Sequence, residues 1–193
     1  VSGERKAVSA LLLAPGASAG KDQSALVAID EAVAAQGIHV ERIDFPHRLA
    51  GRRAPDRQPA LVASVVAAAR RLAGGLGLAQ DRVALGGRSM GGRMCSIAVA
   101  EGLPAAALVL VSYPLHPPGK PDKLRVEHFG AIKVPCLFLS GTRDQFGTPA
   151  ELEAATAAIT GPVTHVLVDN GDHGLRRRDE EVAAIVAAWV RAL

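Results

Sequence analysis

Val83-Ala84-Leu85-Gly86-Gly87-Arg88-Ser89-Met90-Gly91-Gly92 is the stretch on which the reading of this chain turns. A short apolar run enters a Gly-x-Ser-x-Gly turn, and residues 90–101, with apolar positions at helical spacing, leave it. A serine held on so sharp a strand-to-helix turn needs neighbours without bulk two residues before and two after, and Gly87 and Gly91 meet that demand. Gly92 lets the helix close on the neighbouring strand. The positive end of that helix then points at Ser89, and the Met90 N–H is placed to donate to a developing oxyanion.

Outward from this turn, short apolar runs alternate with longer amphipathic ones, the pattern of βα units that build a mostly parallel sheet. Residues 8–13, 40–45, 83–86, 107–112, 136–140 and 163–168 read as six strands. Residues 23–36, 60–73, 90–101, 149–159 and 179–192 read as helices; in the last, Val182, Ile185, Val186 and Trp189 share one face, a core stripe. Asp22 and Asp179 are expected as N-caps, and Pro149 suits a first helical turn. Residues 46–59 and 114–135, rich in proline, are expected as loops at strand ends, with a turn of helix within 123–129. A chain of 193 residues, 49% hydrophobic, fits one domain across residues 1–193.

The strand ends carry the chemistry. A serine attacks a carbonyl only when a base takes its proton, and neutral imidazole titrates in the right range. His173 follows the sixth strand through Asp169-Asn170-Gly171-Asp172, just before the terminal helix; Asp144 follows the fifth through Gly141-Thr142-Arg143. Nucleophile, acid and histidine thus come in the chain order that a Gly-x-Ser-x-Gly turn in a parallel sheet requires. Asp144 is preferred over Asp172 and Asp169 as the carboxylate behind the ring, because a side chain adjacent to His173 reaches its far nitrogen poorly. Ala17, in the loop 13–20 after the first strand, is expected to supply a second oxyanion donor; the same segment also reads as a plain glycine-rich turn. It lacks the G-x-G-x-x-G or Lys-Ser/Thr pattern of a phosphate cradle. His116, after the fourth strand, is a candidate substrate-binding residue. His39 and His165 read as surface or packing residues, and His47 and His128 show no partner pattern.

Composition excludes several classes. The net charge of +3 with only 3% aromatics argues against a nucleic-acid surface, which interleaves basic and aromatic residues. Apolar runs are far shorter than the ~20 residues of a bilayer span, and no charged-then-apolar leader pattern precedes Ala7, so neither membrane nor export is expected and the location is expected to be cytoplasmic. Cys95 and Cys136 sit in apolar segments as buried free thiols, and no metal or cofactor motif is present. A domain without a cap would form a shallow pocket from residues 15–20, 46–57, 113–120 and 145–148. Arg48, Arg52, Arg53, His116 and Lys120 on these loops would make its field positive and favour small or anionic acyl esters, unless they point into solvent.

The segments Gly86-Gly-Arg-Ser-Met-Gly-Gly-Arg93, Ser112-Tyr-Pro-Leu-His-Pro-Pro-Gly-Lys-Pro121, Gly141-Thr-Arg-Asp-Gln-Phe-Gly147 and Asp169-Asn-Gly-Asp-His173, with Gly51-Arg-Arg-Ala-Pro-Asp56, Lys123-Leu-Arg125 and Glu127-His128, resemble the dienelactone-hydrolase-like branch of the α/β-hydrolases. More narrowly, the chain resembles small bacterial hydrolase-like proteins related to testis-expressed protein 30 and to a subunit of the non-specific-lethal chromatin complex. The resemblance spans nearly the whole chain. It implies a compact α/β-hydrolase fold without a cap domain, a triad of Ser89, Asp144 and His173, no cofactor, and a small-molecule acyl substrate. Dienelactone hydrolases proper carry a cysteine where this chain has Ser89, and Pro15 stands where such families place a histidine; proline removes only its own N–H. Some eukaryotic relatives act within protein assemblies, so a non-catalytic binding module with a vestigial triad is the alternative.

Overall fold

The computed structural model describes residues 7–193; the expectation about a leader pattern and the start of the single domain fall on residues 1–6, outside the described residues. The elements are β1 (Ala10–Ala14), α1 (Ser24–Ala34), β2 (His39–Arg42), α2 (Pro46–Leu49), α3 (Gln58–Leu76), β3 (Val83–Arg88), α4 (Met90–Ala100), β4 (Leu108–Val111), β5 (Cys136–Gly141), α5 (Pro149–Thr156), β6 (Val163–Val168) and α6 (Asp179–Arg191). All six strands are parallel in the order β2-β1-β3-β4-β5-β6, which is the expected α/β fold with helices on both faces. The chain steps outward from β1 to β2 and returns to the other side of β1, so the strand order reverses between β1 and β3. In open parallel sheets the crevice outside the carboxyl ends at such a reversal is where ligands bind.

Alternation along β1 divides the core. Leu11 and Leu13 face α1 and α6 with Leu26, Ile29, Val182 and Val186. Ala10, Leu12 and Ala14 face the other way, into a layer with Val65, Leu72, Met94 and Leu110 from α3, α4 and β4. Tyr113, Phe129 and Phe138 close this second layer edge to face, with ring centroids 5.3–5.9 Å apart. β2 and β6 are the sheet edges and are half exposed, unlike the four inner strands. By length and composition α3 is the one helix among the described residues that could cross a bilayer, although Ser64, Arg70 and Arg71 interrupt its apolar run; its stripe Leu61, Val62, Val65 and Leu72 is buried in the core.

Several local expectations are corrected. Asp22 caps nothing: α1 starts at Ser24, and Asp22 accepts instead from Arg42 at 3.0 Å. Asp179 lies one residue inside α6, where it joins Glu180 and Glu181 as favourable negative charge at the helix N-terminus. The proline-rich residues 46–59 contain α2 and the start of α3, since Pro46 and Pro59 serve as first-turn residues rather than breakers. The turn of helix expected within 123–129 does not form there; a 3₁₀ turn stands at Phe129–Ala131 instead. Pro149 stands in the first turn of α5 as expected, behind a capping box not foreseen: Thr148 Oγ1 accepts from the Glu151 N–H and Glu151 Oε2 from the Thr148 N–H.

Phe129 is fully buried in the aromatic layer. Phe129→Ala should cost about 3–5 kcal/mol in urea unfolding and lower Tm by roughly 6–20 °C. A loss below ~1 kcal/mol would mean that the layer collapses onto the gap without penalty.

Candidate active site

The turn after β3 brings Ser89 to the reversal point with φ 50° and ψ −116°, a backbone conformation that a non-glycine residue adopts only when its surroundings enforce it. The enforcement is steric. Gly87, at φ 151°, and Gly91 both lie so close to the Ala14 carbonyl that a Cβ at either would collide with rigid backbone. The turn therefore sits directly on the end of β1, with the loop that follows β1 packed beside Ser89.

His173 and Asp144 arrive from the ends of β6 and β5. His173 Nε2 lies 2.9 Å from Ser89 Oγ, and Nδ1 lies 2.9 and 3.0 Å from the two Asp144 oxygens. An ionised carboxylate only accepts, so Nδ1 carries the proton and Nε2 is free to accept from the hydroxyl. Asp144 is buried, and its Oδ1 also accepts from the Phe146 N–H at 2.8 Å. The Phe146 ring rests on the imidazole with centroids 4.0 Å apart. Asp172 is exposed, and Asp169 is engaged by Asn170. Of the three acids weighed, only Asp144 meets the histidine.

Ser89, His173 and Met90 line an open cavity of about 420 Å³ together with Gly16, Ala17 and Ser18 of the loop after β1. Met90 opens α4, so its N–H has no helical acceptor behind it. The Gly16 N–H is taken by Gln23 Oε1 at 3.4 Å, and Ala17 is the next amide along the rim. His116 is not brought to the cavity: it is buried, with Nδ1 at 2.8 Å from the Pro117 carbonyl and Nε2 at 3.5 Å from Glu151 Oε2. The segment between β2 and α3 contributes nothing to the wall. Arg52 pairs with Asp56 at 2.8 Å, Arg48 borders a separate hollow beside Asp44, and Arg53 and Lys120 are exposed.

The cations of the cavity are three that sequence reasoning did not assign: Arg88, Arg93 and Arg125. Arg88 Nη2 donates to the His173 carbonyl at 2.7 Å, tying the histidine loop to β3. Burial pulls the Arg88 pKa down, opposed by Asp179, Asp144 and Asp172. Arg93 could have been recognised, since it stands one helical turn after Ser89 and so on the same face. Two histidines without a sequence pattern also have partners: His128 Nε2 lies 2.8 Å from Ser96 Oγ, and His47 is buried, stacked on Phe45. Both thiols are buried and free, and burial pushes each up to about 12. Among the described residues no cluster of His, Cys, Asp and Glu could hold a metal ion.

Residues 7–192 match the family described as Alpha/beta hydrolase domain. A serine hydrolase homologue from Coxiella burnetii superposes with a TM-score of 0.76 at 19% identity, over 97% of this chain and 86% of that one. The dienelactone hydrolase from Anabaena variabilis gives 0.75 at 20%, over 95% and 85%. A protein of the alpha/beta hydrolase superfamily from Xanthomonas campestris gives 0.72 at 23%, over 96% and 99%. At these identities the likeness speaks to the fold alone.

Two outcomes follow from the burial of these groups. In native protein at pH about 8 neither thiol should react with a disulfide reagent, and both should react after unfolding, because the thiolate is the reactive form. Fast reaction of a native thiol would contradict their placement. His128 is held down at about 4 by burial and by Arg93, against its usual 6.5, so the unfolded chain takes the proton first. Stability should therefore fall as pH drops from about 6.5 towards 4, and His128→Gln should flatten that part of the curve; unchanged slopes in urea unfolding would refute it.

Proposed function

The chain belongs to the Alpha/beta hydrolase domain family, and from that membership and the site geometry we propose that it is a serine hydrolase cleaving an ester or related acyl bond of a small substrate. The observation that carries this reading is the imidazole of His173 suspended between Ser89 Oγ at 2.9 Å and the Asp144 carboxylate at 2.9–3.0 Å. The stretch Ser112-Tyr-Pro-Leu-His-Pro-Pro-Gly-Lys-Pro121 supports placing it with the small bacterial hydrolase-like proteins related to testis-expressed protein 30.

In this mechanism Ser89 Oγ attacks the acyl carbon as its proton passes to His173 Nε2. Asp144 accepts from Nδ1–H throughout, fixing the tautomer and stabilising the imidazolium. The carbonyl oxygen gains negative charge and is held by the Met90 and Ala17 N–H groups, at the positive end of α4. His173 then gives its proton to the leaving alkoxide, the C–O bond breaks, and an acyl-Ser89 ester remains. Water, deprotonated by the same imidazole, attacks that ester, and the proton returns to Ser89 with release of the acid. Arg88 is a positioning residue: its bond to the His173 carbonyl fixes the loop from which the imidazole projects.

A fluorophosphonate probe should label the wild type and fail on Ser89→Ala. Asp144→Asn and His173→Ala should each lower kcat/KM on short 4-nitrophenyl esters by at least ~10³-fold with unchanged far-UV circular dichroism. A wild type that resists the probe would favour a binding module with a vestigial triad, and a severe loss in Asp172→Asn would reassign the acid.

A further inference from the structure

Arg93 and Arg125 differ from Arg88, the third cation of the Ser89 cavity. Both line the Ser89 cavity and both are partly buried. Arg88 has three carboxylates around it, and Arg42, Arg52, Arg71 and Arg178 each pair with an acid. Among the described residues neither Arg93 nor Arg125 forms an ion pair. The side-chain partner of Arg93 is neutral, Gln58 Oε1 at 2.7 Å, and its buried Nε has no partner. Arg125 is set by its backbone: its N–H donates to the Leu115 carbonyl at 2.9 Å, and its carbonyl accepts from Tyr113 O–H at 2.9 Å. Burial pulls the Arg125 pKa down, and the Arg93 charge pulls it further the same way. Two guanidinium groups that repel each other in a half-dry wall are unfavourable without a counter-charge. Their planar donor forks match the oxygens of an anion, and the cavity beside them holds the serine.

We propose that Arg93 and Arg125 form an anion subsite of the Ser89 cavity, selecting acyl substrates that carry an oxyanion group, carboxylate or phosphate, away from the scissile bond. The inference deepens the serine-hydrolase reading and rests on it for turnover. The anion lies against the two forks, the apolar wall of Ala17, Met90, Pro114 and Phe146 covers the intervening carbon chain, and the scissile carbonyl reaches Ser89. A cavity of about 420 Å³ suits a chain of a few carbons between the two ends.

The test compares 4-nitrophenyl hydrogen glutarate with its neutral counterpart, 4-nitrophenyl pentanoate, in wild type, Arg93→Gln, Arg125→Gln and Arg93→Lys. The wild type should prefer the charged ester. The ratio of the two kcat/KM values should fall at least ~10-fold in each Gln variant, mainly through KM, should recover in part in Arg93→Lys, and should shrink with added salt. Binding is read without turnover by titrating glutarate and, separately, inorganic phosphate onto Ser89→Ala by calorimetry. The tighter anion names the source, and the added Arg93→Gln change should abolish its binding. A ratio that neither Gln variant lowers overturns the subsite. If no ester is turned over in a Ser89-dependent way, the hydrolase reading fails, and the subsite then stands with saturable anion binding to Ser89→Ala or falls without it.

Discussion

The rest of the structure depends on one close approach, that of the turn around Ser89 to the Ala14 carbonyl at the end of β1. A backbone at φ 50° and ψ −116° costs on the order of 1–3 kcal/mol for a serine, and nothing local to the pentapeptide repays it. The compensation comes from what the turn makes possible, which is β3 and α4 lying flat on the sheet. In that arrangement Met94, Cys95 and Ala98 are buried in the core and the Ser89 N–H donates to the Val111 carbonyl of β4 at 2.9 Å. Side chains at positions 87 and 91 would push the turn off β1, and the serine would then lose both its exposure and its register against the other strand ends.

That register brings together the three groups of the candidate site. β3, β5 and β6 run in one direction in one sheet, so their carboxyl ends emerge on one edge, and Ser89, Asp144 and His173 need only short turns to converge. Each turn is separately secured. Asp144 is held by the Phe146 N–H just before the Thr148–Glu151 capping box, and the His173 loop is held by Arg88 reaching across from β3. Burying an arginine to hold a backbone carbonyl is an expensive device, and it is tolerable here because Asp144, Asp172 and Asp179 surround the guanidinium with compensating charge.

The same contrast explains what was legible in the sequence. The strands could be read because inner strands of a parallel sheet are apolar throughout, and the convergence of Ser89, Asp144 and His173 because glycines, chain order and strand ends are sequence-local signals. The ends of elements were less legible. The sequence ends this strand at Gly86, where the Gly-x-Ser-x-Gly turn begins, yet the ladder runs on to Arg88, and the close approach of β1 and β4 requires glycine at 86 and 87. An aspartate just before a helical stretch signals an N-cap, but Asp22 is claimed by Arg42, twenty residues away, a tertiary pairing that no local pattern encodes. The charged lining of the cavity was the hardest part. Arg48, Arg52 and Arg53 cluster in sequence but stay near their own loop, whereas Arg125 reaches the cavity only because Tyr113 and Leu115 hold its backbone.

Shape and charge in the cavity point the same way. Its wall joins apolar side chains to guanidinium groups, and the carboxylate behind the histidine is already engaged, Asp144 by His173 and Phe146. A neutral substrate would fill the apolar part and leave two guanidinium groups facing water and each other; an anionic one would remove that repulsion on binding. Because charge–charge attraction persists over about a Debye length of ~8 Å at physiological salt, it would also act before contact, drawing the anionic end of the proposed substrate in first and leaving its acyl carbonyl to settle against Ser89. In the hydrolase we propose, Ser89, Asp144 and His173 supply the reactivity, and Arg93 and Arg125 the choice of substrate.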